Sequence, residues 1–533
     1  MILTMTKWFY KLLAWGMAIF FIHIVLHFGL MQEVLTFNNP IEDMMFFLPM
    51  LWVFIFVLVI YVIIYNKIEK LNKEYKVCFS IFILTATPRL ALTFFEFDFS
   101  LPVSDFWWYW SFGDLVNQGD YYQVANRIAA YRLPWMGGLA VYNSLIARFF
   151  GSGLIGFYLA NIITTSIISI LMYLIAKSFT SRKVALIASL LFALYPSNIA
   201  ATQLTTNMHH IVMWGLFSVY FLQKTIVAIN FKTSIIFSIL SMLSLCIAYF
   251  MHSADTIYFI ALVLFSGVIF VNNIKGANSI LELRKRIIIY MLILVIGYVS
   301  IPQIGLHLLY RRGIINTFDS ASILELIALG TDLNSPGRHT NESRVTVRNA
   351  PPEEQRQVAL SVIQANLQEW GFLGSLQLIR DKSIRACLQI DNTFFFYVAA
   401  RRSYYTNLGN VTRATQITEF QVAWGRVDAF MVSVLFLFAA IVLFLKPFTK
   451  SDDMFYLMII VVIGFVITFA LGENQPRYRY LLMPYLIMIA SVSLFEIKRI
   501  YEEAKPKIIK NIKRMGGKNY EYFSNWWCRF YRQ

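Results

Sequence analysis

The chain alternates long apolar runs with short polar joints. A bilayer core takes ~20 apolar residues of helix. Runs of that length cover 8–30, 44–65, 77–95, 153–177, 183–201, 205–228, 232–250, 254–272, 286–309, 427–446, 454–471 and 479–497. One further run, 135–150, is short and carries Asn143 and Arg148. The joints set the direction of the runs. Lys67, Lys70, Lys73 and Lys76 mark one joint as cytoplasmic, and Arg182 with Lys183 mark another. Lys224 and Lys232, then Lys275, Arg284, Lys285 and Arg286, then Lys446 and Lys450 mark the rest. Joints 31–43 and 196–204 hold no Lys or Arg, as expected on the opposite side. The alternation holds only if 135–150 does not cross, so that run is expected as an interfacial or re-entrant helix on the outer face. The prediction is an all-α polytopic membrane protein with about 12–13 transmembrane helices and both termini inside.

Five regions follow. Residues 1–76 are two N-terminal spans, and 77–309 are a membrane module with an outer loop at 96–152. Residues 310–426 form a mostly helical outer cap, too long for a mere connector. Residues 427–497 are the last spans, and 498–533 a basic tail ending in Trp526, Trp527, Phe530 and Tyr531. Such a tail suits anionic headgroups.

Composition agrees with the pattern. Of 533 residues 58% are hydrophobic and 14% charged, against about 25% charged in soluble chains. Cys78, Cys246, Cys387 and Cys528 have no CxxC spacing, which excludes a disulfide scaffold. The net charge of +16 arrives without a nucleic-acid recognition motif, so nucleic acid is not expected as a partner. Every lysine but Lys382 falls inside or on its flank. Most arginines, from Arg89 and Arg127 to Arg477 and Arg479, fall outside. Arginine suits bidentate recognition of phosphate or carboxylate. Salt bridging within a folded loop would serve equally for most of them.

Three clusters carry candidate chemistry. The first outer loop holds Asp105-Phe106-Trp107-Trp108-Tyr109-Trp110, then Asp114, Gly119, Asp120 and Tyr121. A carboxylate among aromatics is partly desolvated, which raises its pKa and suits general-base work. The rings could stack on a sugar, or simply form an interfacial aromatic belt. The second cluster, Glu473-Asn474-Gln475-Pro476-Arg477-Tyr478-Arg479, opens the last span and could bind a lipid phosphate or pair internally. The third, Arg132-Leu133-Pro134-Trp135, opens the short apolar helix, where Pro is good starting geometry. His209 and His210 lie near the outer end of their span, and His23 with His27 lack a visible third metal ligand. No HExxH, Walker A or dinucleotide fingerprint is present.

In order along the chain, these residues resemble the GT-C superfamily of integral membrane glycosyltransferases, in particular the polyprenyl- or dolichyl-phosphate-sugar-dependent, protein-mannosyltransferase-like branch. The resemblance rests on Arg89, Asp105, Tyr109, Gly119 and Tyr121, then Arg132, Pro134 and Phe150-Gly151. It continues through Ala193 to Pro196, then Glu473, Arg477, Tyr478 and Pro484. It implies sugar transfer from a polyprenyl- or dolichyl-phosphate donor to an acceptor hydroxyl on a glycan, lipid or protein. Transfer would occur with inversion at the extracytoplasmic face of a membrane, read as a bacterial inner membrane. Asp105 would be the general base. Arg132, Arg477, Arg479 and Tyr478 would hold the donor phosphate, with Tyr109, Trp108, Asp114, Glu473, Asn207, His209 and Lys382 as candidate substrate contacts. Phe106 stands where relatives often carry a second acid, so a divalent metal is admitted but not required; Asn207 stands where many carry Glu, which leaves open whether it meets donor or acceptor. Two alternatives stay open. A flippase or transporter for lipid-linked saccharide would show related halves and mid-membrane charges. A polysaccharide polymerase or ligase would use a lipid-diphosphate donor.

Overall fold

The computed structural model describes residues 15–19, 21–22, 59–60, 62–95, 105–272, 278–318, 323–332, 341–351, 353–388, 411–445, 453–472 and 478–514, apart from Pro352 and some side chains within these helices. Among the described residues every regular element is a helix. Seven are long and apolar enough to cross a membrane, so the chain is an all-α polytopic membrane protein. Most of the runs at 8–30 and 44–65 lies outside the described residues.

Helix α1 (Glu74–Phe95) leads into three helices that do not continue the bundle: α2 (Asp105–Gln118), α3 (Tyr121–Tyr131) and α4 (Met136–Phe150). The end of the bundle that carries them is called the upper end below. Helix α4 is the short apolar run anticipated at 135–150. At ~22 Å of rise it falls short of the ~30 Å hydrocarbon core. It crosses α2 closely, because a methyl on Gly113 would stand 2.8 Å from the Asn143 carbonyl oxygen. Asn143 Nδ2 also donates to the Tyr109 carbonyl at 2.6 Å.

Helix α5 (Leu154–Ala176) returns through the bundle. The run at 183–201, expected as one crossing, is instead two helices, α6 (Arg182–Leu194) and α7 (Pro196–Ala201). Pro196 has no N–H to give and disfavours helical geometry at Tyr195. The break frees carbonyls that lipid cannot satisfy. Arg89, fully buried in α1, donates at 2.7 Å to the Ala193 carbonyl and at 2.7 Å to that of Thr85.

Helices α8 (Met208–Ile226), α9 (Phe231–Tyr249), α10 (Asp255–Asn272) and α11 (Asn278–Arg311) pack in sequence. The expected cap is helical where described: α12 (Ile323–Gly330), α13 (Asn341–Asn349) and α14 (Gln355–Leu388). Helix α14 is interrupted at Gly371, whose φ of 62° suits a residue without Cβ. Helices α15 (Val411–Leu445), α16 (Asp453–Leu471) and α17 (Arg479–Arg514) close the fold. Helix α17 is the central one: residues 479–493 are buried on every side, packed by α15, α6 and α16. A helix apolar all round belongs inside, and the run from Leu481 to Ala490 is apolar at every position.

Candidate active site

Three segments far apart in sequence meet at the upper end. The first is the start of α2. The second is the joint between α7 and α8, residues 202–207. The third is the start of α17. Thr205 Oγ1 donates to the Phe106 carbonyl at 2.6 Å, so the residue after Asp105 is fixed to the joint that carries Asn207. His209 links that joint to α17. Its Nε2 lies 2.9 Å from the Ala201 carbonyl, which can only accept, so Nε2 carries the proton. In the neutral ring Nδ1 then accepts from the Tyr480 hydroxyl at 2.6 Å. His210 Nδ1 meets Tyr142 Oη at 3.1 Å and Thr164 Oγ1 at 3.2 Å. Asn207 Nδ2 donates to the Met251 carbonyl, and its Oδ1 is buried without a partner. His252, next to Met251, packs between Trp135 and Tyr478, with ring centroids 5.3 and 6.0 Å away.

Tyr478, Asn207, His209 and the Arg132-to-Trp135 turn are therefore gathered into one neighbourhood. The backbone of Asp105 begins α2 at its edge, while its side chain lies outside the described residues. So do Glu473 and Arg477. Trp108 lies under the Arg127 guanidinium, 3.9 Å from the ring centroid, a cation–π contact. Tyr109 serves through its carbonyl, held by Asn143. Asp114 is half-buried, and burial pushes its carboxyl above the usual carboxylate range, against a hydrogen bond from Ser152.

Two arginines are engaged otherwise than as open phosphate ligands. Arg479 is buried and ion-paired with Asp428 of α15. Asp428 also accepts from the Tyr195 hydroxyl and, at 2.5 Å, from Ser197 Oγ. Its carboxylate thus joins α15, the α6–α7 break and α17. Arg132 sits in left-handed geometry at the end of α3, φ 54°. Its guanidinium faces the cap, with Nη1 3.5 Å from Glu325 Oε2 and Nη2 2.7 Å from Gln355 Oε1. Glu325, 2% exposed, takes Arg348 on its other oxygen at 2.8 Å. Arg348 in turn donates to the Tyr131 carbonyl at 3.2 Å. Lys382 lies in the cap, where Nζ donates to the Gly330 carbonyl at 2.9 Å, at the end of α12. A cation belongs at a helix C-terminus, although burial pulls this ammonium down to about 8.

Asp428, Ser197, Glu325 and Arg348 escaped the sequence reading, and Tyr195 entered it only as part of the segment from Ala193 to Pro196. Asp428 did leave a signal, because it is the acid at the head of an apolar run, and such residues pair with another charge. Nothing in the sequence tells which arginine it takes.

Among the described residues no three His, Cys, Asp or Glu side chains converge on one point. Phe106 is buried and apolar, and the ring nitrogens named above for His209 and His210 have protein partners. No chemical step is assigned to a metal.

The fold is that of an all-α, multi-pass integral membrane protein. No protein-family model matches the chain, and no curated protein does. Solved structures of the oligosaccharyltransferase of Archaeoglobus fulgidus are similar to it. One, tethered with an acceptor peptide containing the NVT sequon, is 11% identical, covers 81% of this chain and 50% of its own, and has a TM-score of 0.38. A second, archaeal AglB with an inhibitory peptide and a dolichol-phosphate, is 12% identical over 83% of this chain and 52% of its own, at 0.39. A third, with Zn and sulfate, is 11% identical over 78% and 53%, at 0.30. The chain spans about half the length of these structures.

Proposed function

We propose that the chain is a membrane glycosyltransferase that moves a sugar from a polyprenyl- or dolichyl-phosphate donor to a hydroxyl of a glycan, lipid or protein. The observation that carries this reading is the Thr205-to-Phe106 tie. It anchors the start of α2, where Asp105 stands, beside Asn207 and the α17 start from which Arg477 is one residue removed. In this reading the Asp105 carboxylate takes the acceptor proton as the acceptor oxygen attacks the anomeric carbon. The bond from that carbon to the phosphate oxygen breaks, the configuration inverts, and the lipid phosphate leaves as an anion. Arg477 neutralises that anion. Arg132 joins it by exchanging Glu325 for the phosphate, which couples the cap to the donor. Arg479 holds the segment in place and does not touch the phosphate. Tyr478 lines the donor side with Arg477, and Asn207 is a substrate contact. The lysine distribution supports an outward-facing site with both termini in the cytoplasm, and the overall plan suits a bacterial inner membrane.

The test is release of polyprenyl phosphate by the full chain in nanodiscs, using a panel of polyprenyl-phosphate sugars with acceptor-bearing membranes. Asp105→Asn is expected to lower release by about 10²–10⁴-fold, with unchanged yield and monodispersity. Full activity in that variant would remove Asp105 from the mechanism.

A further inference from the structure

The second half of α14, after Gly371, carries an apolar face that is exposed among the described residues. Phe372 and Leu373 are each 78% exposed, Leu376 50% and Ile379 40%. Positions 372, 376 and 379 share one helical face, with Leu373 at its edge. The opposite side is spent on the protein: Leu378 and Lys382 are buried. A patch of this kind on an extramembrane element marks an interaction surface.

The height of this helix is fixed at both ends. Trp370 Nε1 donates to the Thr331 carbonyl at 3.1 Å, and Lys382 Nζ to the neighbouring Gly330 carbonyl at 2.9 Å. Trp370, just before the Gly371 break, and Lys382, far along the helix that follows it, both reach back to adjacent carbonyls. Those carbonyls lie against the end of α16, since a methyl on Gly330 would stand 2.8 Å from the Gly472 carbonyl oxygen. Leu471 is the last residue of that membrane-crossing helix. The segment therefore cannot stand off from the upper end of α16 by more than about a side-chain length, and it runs past that end. An amphipathic helix at that level places its apolar face ~5–10 Å into the headgroup and acyl boundary.

We propose that residues 371–382 are an interfacial anchor, and that Phe372, Leu373, Leu376 and Ile379 insert into the upper leaflet of the bilayer the protein spans. The occupant is lipid because the helix is tied to the end of α16, where Ile467 and Leu471 are themselves 51% and 45% exposed. Arg380, 40% exposed beside Asp381, sits at the rim, where a cation meets headgroups. Through Trp370 and Lys382 the anchor fixes the end of α12, whose Glu325 holds Arg132.

The full unsubstituted chain is reconstituted in phosphatidylethanolamine–phosphatidylglycerol vesicles doped with a phospholipid bearing a diazirine in its upper acyl chain. After photolysis and tryptic digestion, the peptide from Gln357 to Arg380 is expected to carry lipid adducts confined to Phe372 through Ile379. Their yield should exceed that at Leu360 and Leu367 of the same peptide by about tenfold. Adducts on spanning peptides with none on this stripe would overturn the proposal. So would adducts at Leu360 and Leu367 as abundant as those on the stripe.

Discussion

Asp428→Ala is the sharpest perturbation of the bundle. It removes the carboxylate shared by Tyr195, Ser197 and Arg479, and takes that counter-charge from the Arg479 guanidinium, 1% exposed. Removing one partner of a buried pair costs about 3–5 kcal/mol, mostly through the uncompensated charge. The two orphaned hydroxyls add roughly 1–3 kcal/mol if no water reaches them. The same reasoning makes a second, opposite forecast. Replacing both charges by apolar groups of similar volume, Asp428→Leu with Arg479→Met, should cost far less than either single change, because no lone charge remains. The assay is the unfolding midpoint of purified protein in one detergent, for wild type, both single variants and the double. The expected pattern is two strongly destabilised singles and a double less destabilised than either, a coupling of about 3 kcal/mol or more. Additive losses, or an Asp428→Ala variant as stable as wild type, would refute the idea that this pair holds the start of α17.

The remaining predictions concern the cap and the first outer loop. Burial pulls Lys382 down to about 8, so above that pH the folded chain sheds a proton that the unfolded chain keeps up to ~10.4. Unfolding midpoints should therefore climb from pH 8 towards 10 through this group, and Lys382→Met should remove that part of the slope. Glu325→Gln leaves Arg132 and Arg348 without their shared carboxylate; hydrogen exchange over 341–351 and 355–369 should quicken by about tenfold, equivalent to ~1.4 kcal/mol, and unchanged exchange would remove the latch. Gly113→Val forces a side chain into the Asn143 backbone, with an expected loss of about 1–3 kcal/mol in unfolding measurements; a neutral result would mean that α2 and α4 can separate.

Hydrophobic periodicity made most of the fold legible. The runs at 153–177, 232–250 and 454–471 each became a helix within a few residues of their expected ends, because twenty apolar residues have one stable form in lipid. The run at 183–201 did not, since Pro196 outweighed apolarity, and Arg89 from a distant helix makes the break tolerable. Of the site, the sequence carried the residue types and their order, and the structure gathers Asn207, His209, Tyr478 and Trp135. It could not carry partner choice. Arg132, Arg477 and Arg479 look alike as guanidinium groups near one face. Whether such a group meets a phosphate, Asp428 or Glu325 depends on contacts between elements 51 and 193 residues apart. Asp428 and Glu325 were missed because each is one acid in an apolar or mixed segment, with no local motif to mark it.

The central claim is that a lipid-phosphate sugar donor reacts beside Asp105. It is tested most directly by the structure of the full chain with a polyprenyl phosphate bound in nanodiscs. Phosphate density is expected between Arg477 and Arg132, with Arg132 released from Glu325 and Asp105 within reach of the vacated anomeric position. Phosphate bound away from the α2, α7–α8 and α17 junction, with Arg132 still on Glu325, would contradict that claim.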